Sequence, residues 1–216
     1  MSLTQINHVF VGVHEKGINT FLRALFTARP HYLHYGSSIF VPVSSASATN
    51  MAPIPFPGVP GGIQYAVRFD IPVVDLFPPD PPPSPLPPGP NQFSIHTKVT
   101  LTIGCFTWQS DPNGSRGGHG VPIKTTLEVW ARGQLVAQYF GPGTGDISLA
   151  VDDVRIPEIR PGTLEEVVDC LIRMMLDAAL QNVHIPFHAL SAGAFQLILQ
   201  RGPEISDDQV KAWGDV

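Results

Sequence analysis

TLEEVVDCLIRMMLDAALQNV, residues 163–183, has the spacing of a long helix. On a wheel at 100° per residue, Glu165, Asp169, Arg173 and Asp177 gather on one side. Leu176 and Leu180 intrude there. The apolar arc runs from Cys170 and Met174 through Leu164 to Leu176 and spans roughly 240°. A helix lying on one flat surface needs a stripe only a little over 100° wide. A strongly curved sheet covers a helix on more than one side. The wide arc therefore predicts a curved sheet beside this helix. Thr163 and Glu166 stand at capping-box spacing before the apolar run.

The flanking segments set the fold class. Residues 6–13, INHVFVGV, are β-rich. Residues 15–28, EKGINTFLRALFTA, form an amphipathic helix with Ile18, Phe21, Leu22 and Leu25 on one face, ended by Pro30. Residues 31–43 read as extended, 44–50 as a polar loop. The prolines at 53, 55, 57 and 60 exclude a central strand at 52–62. Residues 63–77 read as a strand broken at Pro72, and 92–108 as a long strand with Phe93, Ile95, Thr97, Val99, Leu101 and Ile103 facing one way.

Residues 109–120 carry turn chemistry. Residues 121–140 read as two strands joined by a tight turn near Arg132-Gly133, 141–145 as a turn and 146–159 as a strand. Two closing strands, 193–202 and 209–216, are expected around Gly202-Pro203. This order of strand, helix, several strands, long helix and strands predicts an α+β fold with a highly curved antiparallel sheet. The sheet is expected to wrap the long C-terminal-half helix, with a second helix near the N-terminus. Residues 1–216 are expected to form one domain.

Residues 78–90, PPDPPPSPLPPGP, hold nine prolines in thirteen positions. They predict a stiff loop between strands, with docking to an SH3-like partner as the alternative. Lys and Arg total 13 against 18 Asp and Glu, so charge provides no case for nucleic acid. Charged residues are 14%, against about a quarter in an ordinary soluble chain. That deficit predicts surface hidden in an assembly or apolar surface kept for a ligand. No uncharged run approaches the roughly 20 residues of a membrane span. The opening MSLTQINHVF has no signal-peptide pattern, so a cytoplasmic location is expected, with export by another route left open.

The search for chemistry is mostly negative. His31 and His34, with His184 and His188, offer two imidazole pairs, but Pro186 breaks the helical spacing of the second. No metal site and no cofactor are expected. Ser191 lacks the nucleophile-elbow context, and GSRGGHG at 114–120 lacks the phosphate-loop Lys-Ser/Thr. Asp152-Asp153 and Asp207-Asp208 are neighbours that a strand would point to opposite faces. No catalytic residue is assigned, and the chain is not expected to be an enzyme. Of the two cysteines, Cys105 and Cys170, the second lies on the apolar arc and reads as a buried free thiol, with a disulfide as the alternative.

The remaining signal is apolar. Phe21, Leu22, Leu25 and Phe26 lie on the first helix; Leu171, Met174, Met175 and Ala178 lie on the second. Adjacent methionines beside alanines make an adaptable lining for a ligand, and the same residue types also make plain core.

The strand and helix at VFVGVHEKGINTFLRALF, the late helix LEEVVDCLIRMMLDAAL and the ending IPFHALSAGAFQLILQRGPEISDDQVKAWGDV resemble the tubular lipid-binding (TULIP) superfamily. That superfamily includes bactericidal permeability-increasing-like proteins, synaptotagmin-like mitochondrial lipid-binding domains and proteins of bacterial toxin clusters. The resemblance implies a curved sheet around a long helix and a tube or groove for a lipid or another apolar molecule. It implies no catalytic residues. Some such folds keep a filled tube and serve as parts of assemblies. Two functions are therefore expected in competition: binding of a lipid or other hydrophobic ligand, and a structural role in a toxin-complex or injection-type particle, through a protein partner or a homo-oligomer.

Overall fold

A computed structural model describes residues 9–59, 61–80, 84–105, 107–110, 116–119, 121–141, 144–157, 163–180, 183, 185–186 and 198–215. In chain order these form β1 (Val9–His14), α1 (Glu15–Ala28), a 3-10 turn (Pro30–Tyr32), β2 (His34–Ser37), β3 (Thr49–Met51), β4 (Ile63–Phe69), β5 (Val73–Leu76), β6 (Gln92–Cys105) and β7 (Thr107–Ser110). There follow β8 (Arg116–His119), β9 (Ile123–Gly141), β10 (Thr144–Arg155), α2 (Thr163–Leu180), β11 (Ile185–Pro186), β12 (Ile198–Ser206) and β13 (Gln209–Asp215). The fold is α+β with a curved sheet.

The chain forms two compact units. The first comprises Met1–Leu22, Val73–His96 and Val129–Val216; the second comprises Arg23–Pro72 and Thr97–Glu128. In the first unit β5 pairs antiparallel with the start of β6, and β9 with β10, whose far edge takes β11. A separate sheet has the order β1-β13-β12. Register shifts between Thr144 and Gly145 and between Val151 and Asp153 mark irregularities along β10, the kind of feature that bends a strand. α2 packs on β10, and Arg173 of the helix donates to the Val151 carbonyl at 3.4 Å.

In the second unit β4 pairs antiparallel with β6 and with β2. β2 pairs in parallel with β3, a departure from the wholly antiparallel sheet that was expected. The expected extended run 31–43 is shorter: a 3-10 turn precedes β2, and the chain turns again after Ser37. The core of this unit holds Leu33, Tyr35, Val67, Phe69, Val99 and Leu101. Alternation along β6 buries Val99 and Leu101 and exposes Lys98, which pairs with Glu128 at 3.1 Å.

Two expected turns are absent. β9 runs unbroken for 19 residues through Arg132-Gly133. Gly133 serves packing there: a Cβ on it would lie 2.1 Å from the Ala150 carbonyl oxygen and 2.8 Å from the Phe93 ring. Gly202-Pro203 lies inside β12, where the register shifts between Arg201 and Glu204. The reversal falls at Asp207-Asp208, both in the left-handed region at φ 53° and 56°. Two such residues in succession make the hairpin turn that follows strand twist. Aspartate tolerates that conformation better than most side chains do. The two aspartates therefore sit in a turn, not on a strand.

The proline segment leads from β5 to β6 within the first unit. Ser84, Leu86 and Pro88 are buried, with Pro85 and Pro87 exposed between them. Gln92 closes its end by accepting from Gly89 N at 3.0 Å, and Asn91 Oδ1 accepts from Ile205 N at 3.0 Å. The segment is packed at alternate residues along this stretch, with Pro85, Pro87 and Pro90 left exposed.

Candidate functional site

α1 uses one stripe for two purposes. Glu15, Asn19, Leu22 and Phe26 recur at intervals of three and four and share a face. Leu22 and Phe26 are buried. Asn19 lies against β5, where its amide accepts from Val74 N and donates to Val74 O, both at 2.8 Å. Glu15 Oε2 accepts from Leu76 N at 2.9 Å. Two side chains thus act as a partial strand along the edge of β5 turned away from β6. An unmet backbone group costs about 1–3 kcal/mol when buried. Asn19→Ala is expected to cost about that much, read as a lower urea midpoint at constant m-value. An unchanged midpoint would show that water replaces the amide without loss.

The other predicted lining residues of α1 divide. Phe21 is 47% exposed and Leu25 is half-buried, on the border of the stripe. α2 divides more sharply. Val168, Ile172, Met175, Leu176, Ala179 and Leu180 are buried and occupy roughly 140° of the wheel. Met174, at 56% exposure, and Ala178 face outward on an apolar row of their own. Met175, next in the chain, is 2% exposed. The 240° apolar arc is therefore one buried stripe plus an outward apolar row. The side chains of Leu164, Cys170 and Leu171 fall outside the described residues, as do those of Thr163 and Glu166.

The predicted histidine pairs do not make a described metal centre. His31 packs its ring on Tyr32 at 4.3 Å, while His34 Nδ1 lies 3.1 Å from the Ser47 carbonyl. Burial, with the charge of Arg68 beside it, holds His34 below the usual imidazole range. His184, His188 and Ser191 lie outside the described residues. Among the described residues no group of three or more His, Cys, Asp or Glu could hold a metal ion. No described helix is long and apolar enough to cross a membrane.

Sequence reasoning missed a polar junction. Glu15, Asp75, Asp80 and Asp208 come together where α1 begins, β5 ends and β12 turns into β13. No local motif announces it, because its members are brought together by strand pairing.

No protein-family model matches this chain, and no curated protein matches it. Among solved structures it is similar to a lipopolysaccharide binding protein, at 11% identity and a TM-score of 0.29. That similarity covers 100% of this chain and 45% of the other, so the chain spans less than half the length of that neighbour.

Proposed function

We propose that this chain binds a lipid acyl chain or a similar hydrophobic molecule without catalysis, along the outward apolar row of α2. The observation that carries this reading is the split between Met174 and Met175, one open to solvent and the other in the core. A thioether side chain adapts to an irregular apolar partner. Each methylene removed from water contributes about 0.8 kcal/mol, so a long chain needs no strong polar anchor. A groove or tube formed by a curved sheet around α2 is the expected setting.

The test is native mass spectrometry of freshly purified protein, with organic extraction of whatever is bound. A lipid at near-stoichiometric level is expected with the wild type and is expected to be lost with Met174→Asp. Equal occupancy in the two proteins would remove α2's outward row from the site.

A second reading rests on a different observation. In the second unit Val43 is 81% exposed and Val121 90%, and Phe56 and Ile123 are also exposed. Large apolar side chains left in water suit a subunit that packs against a protein partner or another copy. A ligand-free mass with a defined oligomer, dissociated by Val121→Asp, would favour that structural role.

A further inference from the structure

Three elements of the first unit meet at a group of carboxylates. The Glu15 N–H donates to the Asp208 carbonyl at 2.8 Å, and Glu15 Oε2 accepts from Leu76 N at 2.9 Å. Asp75 follows Val74 in β5, and its Oδ1 accepts from Asp80 N at 3.2 Å. Asp208 Oδ1 is buried and has no hydrogen-bond donor. Ser94, 1% exposed, stands directly across from Asp75 in the β5–β6 register, so the two share a face, and its Oγ has no partner.

Lys211, on β13, is held by the Asp207 carboxylate and by the Ser206 hydroxyl at 2.9 Å. At the end of β1, His14 Nδ1 accepts from the backbone N–H of Lys16 at 3.1 Å. Among the described residues no lysine or arginine is ion-paired to Glu15, Asp75, Asp80 or Asp208.

We propose that Glu15 and Asp75, with the Asp80 and Asp208 carboxyls beside them, form a proton-operated latch, in which a proton taken up by Glu15 or Asp75 tightens the hold of α1 on β5 and on the β12–β13 turn. A carboxylate only accepts hydrogen bonds, whereas a carboxylic acid also donates. Protonation therefore removes one charge from a like-charged group and places a donor among acceptors that lack one. The inference is independent of the apolar-ligand reading.

The direction follows from the environment. Burial, opposed by the Leu76 N–H and reinforced by the charges of Asp75, Asp80 and Asp208, raises Glu15 above 4.5. Burial likewise raises Asp75 above 3.8, with Asp80 and Asp208 adding to it and the Asp80 N–H opposing. A carboxyl raised on folding binds its proton more tightly in the native state. Its contribution is fully present below the unfolded values and is lost as pH rises through the raised native ones.

The experiment is thermal unfolding of the full chain at several values between about pH 7.5 and about pH 3.5, for wild type, Glu15→Gln and Asp75→Asn. Glutamine keeps an acceptor for Leu76 N and adds a donor without charge. Glu15→Gln is expected to melt roughly 2–4 °C above wild type at the upper pH, and the advantage is expected to shrink toward the lower. The Glu15 carboxyl carbon is expected to titrate above the usual 4.5 in an NMR pH series. No gain in melting temperature, a gain equal at every pH, or a Glu15 midpoint at or below 4.5 would each overturn the latch. Should Glu15→Gln fail to fold, Asp75→Asn carries the same comparison, because the asparagine carbonyl still accepts from Asp80 N.

Discussion

Gly133→Ala is expected to destabilise the protein by about 3 kcal/mol or more, a large effect for one methyl group. Gly133 sits within β9, at a φ outside the left-handed region, so backbone strain is not the reason. The reason is space. The added carbon would sit 2.1 Å from the Ala150 oxygen and 2.8 Å from the Phe93 ring, where about 3.4 Å or more is ordinary contact. The ring is a side chain, but Phe93 is fully buried and has nowhere to turn. The carbonyl belongs to β10, whose pairing with β9 would have to open. Urea unfolding measures the loss directly. A second substitution, Phe93→Leu in the Gly133→Ala background, is expected to relieve the ring contact and leave the carbonyl contact. Full recovery in the double variant would show that the backbone yields easily and that β9 tolerates a side chain there.

The second large effect separates two neighbours on α2. Met175→Asp is expected to cost about 4 kcal/mol or more, because it places a carboxylate in the apolar core. Burial would raise that carboxyl's pKa, so the loss is expected to lessen as pH falls and the group takes up a proton. Met174→Asp is expected to change stability by no more than about 0.5 kcal/mol, since its side chain faces water. Paired unfolding curves at neutral and mildly acid pH give both numbers. Equal losses at the two positions would mean that the outward row is covered in the native protein, and the proposed apolar site would fail with it. A stable Met174→Asp that no longer carries lipid would show that the row touches the ligand.

Much of the secondary structure was legible because it is written in local spacing. The 3.6-residue period of 15–28 and the proline that follows correspond to α1, Glu15–Ala28. The break at Pro72 separates β4 from β5, since proline has no N–H for the ladder. The alternation from Phe93 to Leu101 marks the buried side of β6. The two glycine-based turns were misread for a common reason. Glycine marks a place where a side chain is unwelcome. Whether it is unwelcome because the backbone turns or because another strand comes close depends on residues far away in the chain.

The candidate site was legible only in part. Leu22, Phe26 and Met175 belong to apolar faces, and the sequence shows as much. It does not show that Phe21 and Met174, equally apolar, point outward. Periodicity reports which residues lie together on a helix; it does not report how wide a surface the neighbouring strands present. The carboxylate junction was not legible at all. Glu15 meets β5 some sixty residues onward and the β12–β13 turn near the end of the chain.

By itself, then, the amino-acid order determined where the helices and most of the strands lie, through hydrophobic period, proline and turn chemistry acting over a few residues. The tertiary structure alone decided what Gly133 is for, which apolar row of α2 faces water and which carboxyls stand near Glu15. Those depend on distances of a few ångströms between segments distant in sequence, and such distances are set by strand pairing and packing.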